Sequence, residues 1–333
     1  MDSCCCVQQH VFAGKRRRLQ QNPAYIRENF FVKYLFPPAS ITTQLILLLL
    51  ISAGCNKKQT GAAAPVTPPA AVSFENTPLG YPLTTLIGEA SGIADSRLNP
   101  GYLWVEEDSG NPPQLYLLNH AANKIKKVYL RGAINTDWED IALAAGPDAA
   151  KKYLYIADIG DNDAVRTSVG FYRLEEPAAT ADTVSNFEFI RFTYADGPRD
   201  AEAFLVDDAG KDIFIITKRD ALSRIYKLAY PYSSTSINTA VFVASLAYNG
   251  VVSAAAGNDG TGLIVKTYTS LNYYPRLPSE SIPQTLQKAA TALGYQPEPQ
   301  GEAVGFALDN SGFFTLSEKG GAVSQTLYFY SKK

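Results

Sequence analysis

Five stretches of this chain share one grammar at intervals of roughly fifty residues, and self-similarity at such a period limits the fold more than any other feature. Each opens with small and apolar residues around one polar side chain: EASGIAD from Glu89, DWEDIAL from Asp137, DAEAFLVD from Asp200, GVVSAAAG from Gly250 and GEAVGFALD from Gly301. A more apolar run follows in each (YLWVEED, KYLYIADIGDN, DIFIITKRD, GLIVKTYTS, GFFTLSEK), then a tyrosine-rich one (QLYLLN, GFYRLEE, RIYKLAY, LNYYPR, TLYFYSKK). Three units add a fourth run: KIKKVYLRG, NFEFIRFTY and TAVFVASLAY. Short alternating runs bounded by Gly, Asn, Asp and Pro read as strands, and a helix is expected only over Ser279–Leu293.

Four antiparallel strands per unit, repeated about an axis, make a β-propeller, which leaves only short and protected edges. The expected fold is therefore all-β, with residues 73–333 as a single five-bladed β-propeller. Its fifth unit stops at a third strand, so the N-terminal segment Ser73–Leu86 is expected to supply the missing outer one and close the ring. Six blades are the alternative, should the N-terminal segment and the 279–298 insert hide a degenerate unit; a pair of β-sandwiches is another.

The first strand of each propeller blade lines the channel, so equivalent positions form a ring. Aligning the five openings by their apolar residues puts Ser91, Glu139, Glu202, Ser253 and Glu302 at one level. Three glutamates facing one another raise each other's pKa unless a cation sits among them. Calcium takes six to eight oxygen ligands in flexible geometry, which this set and some water can supply. Alternatively, the glutamates accept backbone N–H bonds around a water-filled tunnel.

The second runs end toward one mouth of the channel. There Lys218, Arg219 and Lys266 could neutralise a phosphorylated substrate, and Asp108 or Asp161 could position water. Glu107 and Asp161 could instead act as a glycosidase pair if they faced each other at the right distance. DIGDND, Asp158–Asp163, reads as a tight Asx-capped turn or a second calcium loop. Only two histidines, His10 and His120, are present, which removes most zinc and Ser-His-Asp chemistry. With 30 basic against 32 acidic residues and no basic stripe in the body, nucleic acid is not an expected partner.

The order Ser, Glu, Glu, Ser, Glu, carried by EASGIAD, TDWEDIA, RDAEAF, VVSAAA and QGEAVGF, resembles the calcium-activated nucleotidase (apyrase) family. TKRD at Thr217 and VKTYTS at Val265 are similar to that family's basic second strands. The resemblance implies a five-bladed propeller with one axial calcium held by Ser91, Glu139, Glu202, Ser253 and Glu302. The chain departs from the family in the first unit, where EEDSGNPPQLY has Ser109 and Gly110 in place of an arginine-bearing turn, and in the acidic DIGDND. Both departures remove positive charge from the mouth. A more distant resemblance is to secreted phytase-like propellers. The leading expectation is a binding or interaction module that takes a small molecule or protein at the mouth; calcium-dependent phosphoanhydride or phosphoester hydrolysis and carbohydrate binding or cleavage are the alternatives.

The front of the chain reads as an address. LILLLLI at Leu45–Ile51 follows six Lys and Arg residues and precedes Ser52, Ala53, Gly54 and Cys55, resembling a bacterial lipobox. Residues 1–54 are expected to be a lipoprotein signal peptide. Residues 55–72, Ala/Pro/Thr-rich, would be a tether from lipidated Cys55. This places the protein in the bacterial cell envelope, periplasmic or at the cell surface, as a membrane-anchored monomer.

Overall fold

Most strand pairings follow from a meander of short runs and tight turns. The computed structural model describes residues 72–333; the leader, Cys55 and the tether through residue 71 lie outside them. After β1 (Leu79–Pro82), the chain lays down β2 (Ala90–Asp95), β3 (Tyr102–Glu107), β4 (Gln114–Asn119) and β5 (Ile125–Leu130) as one antiparallel sheet. β6 (Trp138–Ala145), β7 (Lys152–Asp158), β8 (Val169–Glu175) and β10 (Glu188–Tyr194) form a second, while the two-residue β9 (Thr183–Val184) pairs in parallel with β5. β11 (Ala201–Val206), β12 (Ile213–Thr217), β13 (Arg224–Leu228) and β14 (Asn238–Ser245) form a third. A parallel pairing of β10 with β14 joins the second and third into one eight-stranded sheet. β15 (Val251–Ala256), β16 (Gly262–Thr267), β17 (Leu271–Pro275) and β18 (Thr291–Ala292) make a separate sheet.

The last sheet is β19 (Ala303–Phe306), β20 (Gly312–Leu316) and β21 (Thr326–Ser331), with β1 as its outer strand. Leu79 pairs with Phe329 and Pro82 with Thr326, so the N-terminal segment does complete the C-terminal sheet. Phe74 also bridges to Lys332.

The opening strands pack side by side in a circuit: β2 on β6, β6 on β11, β11 on β15, β15 on β19, and β19 back on β2. This nearly closed arrangement is propeller-like. β2 and β11 are buried at every position, which explains their small and apolar run, whereas the outermost β5 and β14 show mixed burial. The core lies between sheets rather than within one. Trp104, Leu117, Trp138 and Ile156 join the first and second units, and Tyr155, Phe171, Phe204 and Tyr226 join the second and third. Burying side chains of this size is worth about 1.5–3 kcal/mol each.

The helix is shorter than its pattern predicts. Ser281 caps α1 (Ile282–Leu286) in a capping box with Gln284, but the chain leaves helical geometry after Leu286. Thr291 and Ala292 then pair with Tyr273 and Asn272, because the fourth sheet needs an outer strand.

Candidate metal centre

Irregular pairing sets the side chains on the inner strands. In β2, Ala90 pairs with Glu107 and Gly92 with Glu106, leaving Ser91 as the extra residue of a β-bulge. Glu139 is skipped in the same way between Trp138 and Asp140, and Glu202 between Ala201 and Ala203. A bulge bends the strand and re-aims the extra side chain. In β15, however, the skipped residue is Val252, and Ser253 pairs with Lys266. Ser253 therefore stands one residue later than the alignment of apolar residues places it, level with Gly92, Asp140 and Ala203. Gly92 has no freedom to be larger, since a Cβ there would lie 2.5 Å from Ile141 N and 2.8 Å from Asp140 Cα.

The structure brings Ser91, Glu139, Glu202 and Glu302 into one buried group and seats Ser253 beside it. Ser91 Oγ lies 2.8 Å from the Glu139 carbonyl oxygen and 3.1 Å from Glu302 Oε2, within donating distance of both. Tyr268 OH donates to Glu302 Oε1 at 2.6 Å. The Lys218 ammonium donates to Glu202 Oε1 and, at 3.0 Å, to Tyr268 OH. Glu202 Oε2 has no partner, although the residue is only 4% exposed. Ser253 Oγ donates to Asp140 Oδ1 at 3.2 Å, and Ala254 N donates to Asp140 Oδ2 at 3.2 Å, so Asp140 reaches from β6 across to β15.

Several buried carboxyls in and around this group, Glu139, Glu202 and Asp140 among them, hold their protons unusually tightly. Burial, followed by repulsion from Glu202, Asp108 and Asp137, pushes Glu139 well above the ordinary range. Burial lifts Glu202 to about 8 despite the opposing Lys218. Glu318 rises to about 8 through burial and its neighbour Glu302, and Asp108 to about 6 through burial first. Asp140 is raised well above its usual value by burial even though several hydrogen bonds oppose the shift. Glu106 has zero exposure and no partner for either carboxylate oxygen; burial and then Asp140 push it far up. A set of oxygen donors this crowded is suited to a hard cation, which would favour their ionised forms.

At the mouth, the carboxylate oxygens of Asp108, Asp137 and Glu139 lie within 4.8 Å of one another. Gly160 of DIGDND packs against two of them: a Cβ there would meet Glu139 Oε1 at 2.1 Å and Asp137 Oδ2 at 2.5 Å. DIGDND itself is a turn. Asp161 spends its carboxylate on Val165 N at 2.9 Å and Arg166 N at 2.8 Å, which leaves it engaged with backbone rather than poised over water. Asp108 accepts from Ser109 N.

The predicted substrate cations are all in ion pairs. Besides Lys218 with Glu202, Arg219 contacts Asp200 at 2.5 Å and Asn162. Lys266 is fully buried and donates to Glu298 Oε2 at 2.9 Å, an interior pair away from any surface. Glu107 accepts from Gly88 N at 2.9 Å and Tyr116 OH at 2.7 Å, so its carboxylate is held in place by structure. Asp137 and Asp140 escaped the sequence reading because they flank, two residues before and one after, the glutamate it singled out; the acid-rich TDWED was the available signal.

No protein-family model matches the chain, and no curated protein matches it. Among solved structures, a luciferin-regenerating enzyme is similar at a TM-score of 0.46 and 9% identity, covering 77% of this chain and 95% of its own. A hydrazine synthase of Kuenenia stuttgartiensis is similar at a TM-score of 0.36 and 14% identity, covering 70% of this chain and 56% of its own. At these scores neither likeness carries a statement about the site.

Proposed function

We propose that the chain is a five-bladed β-propeller with calcium on its axis, acting as a binding module through its acidic mouth and tethered to the bacterial envelope by a lipid on Cys55. The observation that carries this reading is Glu202 Oε2, a buried carboxylate oxygen without a partner beside Glu139 and Glu302. Ser91, Glu139, Glu202 and Glu302 would hold the ion, and Ser253, engaged with Asp140, would contribute only through its remaining lone pair. Bound calcium would neutralise their charge and brace the strands that carry them. Five units, not six, are supported by the 279–298 insert, whose helix and β18 attach to β17 rather than forming a sheet of their own. The lipobox-like leader supports the envelope assignment.

Binding is favoured over hydrolysis because Lys218, Arg219 and Lys266 are already paired with carboxylates. Thermal unfolding with calcium and with chelator tests the metal. At a hundredfold excess over Kd, an ion bound only to the folded state adds about 2.7 kcal/mol, or roughly 5–10 °C in a domain of this size. Unchanged melting together with no calcium by elemental analysis refutes the assignment. No phosphate is expected from nucleoside diphosphates or phytate; calcium-dependent release would replace the binding module with a hydrolase.

A further inference from the structure

The opening strands also enclose a space at their far ends, away from the acid group. A cavity of about 320 Å³ lies among the later residues of β2, β6, β11, β15 and β19, with Leu143, Val206, Ala256 and Phe306 in its wall. Each of these strands is the terminal member of its sheet, so the backbone edge it turns to the centre has no strand beside it in the ladder. Which residues present that edge follows from the pairing on the other side. Asp207 N donates to Asp212 O and Gly257 N to Gly262 O, so Val206 and Ala256, one residue earlier, turn their N–H groups the opposite way. Ala145 N donates away from its ladder to Asp208 Oδ1, and Leu143 N, two residues back, has the same sense.

Asp140 shows what N–H groups on this edge hold. Its carboxylate accepts from Ile141 N at 2.9 Å and Ala254 N at 3.2 Å, and Phe204 N lies against it as well. These donors stand on β6, β15 and β11. Two residues further along the same strands come Leu143, Ala256 and Val206, whose N–H groups repeat the arrangement inside the cavity. Among the described residues no protein group accepts from them. An N–H left without an acceptor in a recess is costly, so the repeated set is a place for oxygen. The acids of the rim do not oppose an anion with free charge: Asp95 is held by His120 at 2.8 Å, Asp207 by Arg276 at 3.2 Å and Asp208 by Lys152, while Asp259 accepts from Thr261 N at 2.9 Å. Arg276 itself lines the cavity.

We infer that this cavity binds a small aliphatic carboxylate, its oxygens taken by the N–H groups of Leu143, Val206 and Ala256 as Asp140 is taken one level above, and its hydrocarbon part packed on Val304 and Phe306. At about 320 Å³ the space is at the small end of ligand cavities, which suits a short chain and excludes a nucleotide. The site does not depend on the axial ion.

The test is calorimetry and saturation-transfer NMR on the full chain in chelator, with butyrate as probe and butyramide and butylammonium as probes of the same shape. Butyrate is expected to bind, the amide more weakly and the ammonium not at all. No binding of butyrate, or ammonium bound as well as butyrate, overturns the inference. Ala256→Pro removes an N–H that the ladder does not use, and Ala256→Leu keeps that N–H but fills the space. Each is expected to bind butyrate roughly tenfold or more weakly, the loss of one hydrogen bond to a charged group or of the room for the chain. Wild-type affinity in either variant overturns the inference. Should Ala256→Pro melt well below wild type, Ala256→Leu and the ranking of the three probes decide it.

Discussion

Lys266 has no exposed surface, and its ammonium lies 3.0 Å from Tyr295 OH and 4.3 Å from the centre of that ring, besides its contact with Glu298. Glu298 in turn accepts from Thr315 Oγ1 at 3.1 Å, so this pair ties β16 to β20 through the 294–300 loop. Removing one partner strands a buried charge, which costs about 3–5 kcal/mol, whereas removing both is close to neutral. Lys266→Met is therefore expected to be severely destabilised in denaturant unfolding, and Lys266→Met with Glu298→Gln to recover most of the loss; a double variant no better than the single one contradicts this. Gly160→Ala pushes a methyl into Glu139 and Asp137, and overpacking of this kind costs about 1–3 kcal/mol. Its Tm is expected to fall and its calcium response to weaken; wild-type values for both would show that the cradle tolerates a side chain. At this scale the shared grammar of the five openings carried the meeting of Ser91, Glu139, Glu202 and Glu302, though not what they bind. It did not carry the one-residue offset of Ser253 or the interior place of Lys266. A bulge is a property of two paired strands, and period-two alternation in one strand cannot reveal it.

At the scale of elements, the strands were legible because turn residues punctuate every run. Their partners across units were not. The parallel pairs β5–β9 and β10–β14 form where two outer edges happen to meet, and each involves only two or three residues. The helix over-reached for a related reason: 279–293 has helix-forming residues, but Thr291 and Ala292 are worth more as a sheet edge than as a final helical turn. The same logic makes β1 testable. Deleting the chain through Pro82 removes the partner of β21 and the Phe74 ring, which packs 5.1 Å from Phe313 and 5.5 Å from Tyr273. An uncovered edge strand is a template for pairing with other chains. The truncated protein is expected to associate or aggregate in light scattering; a stable monomer with the wild-type melt would mean β1 is dispensable.

For the whole molecule, the acid cluster predicts how pH and calcium act together. Glu202 and Glu318 titrate near 8 in the folded protein against 4.5 for a free glutamate. Between those values the folded state holds more protons than the unfolded one, so stability in chelator is expected to fall as pH rises from about 5 to about 8 and to level off beyond. Calcium removes the repulsion, so the decline is expected to flatten when the ion is saturating. Melting curves across that range, with and without calcium, check both limbs; a metal-free protein that grows more stable toward pH 8 contradicts the sign. The joining of β1 to β21 has a consequence of another kind. A ribosome delivers Leu79–Pro82 well before Thr326–Ser331, so the earlier segment must wait, uncommitted, while the sheets between them are made. Such a ring cannot be closed piecemeal from its first strand, which has to stay free for its distant mate.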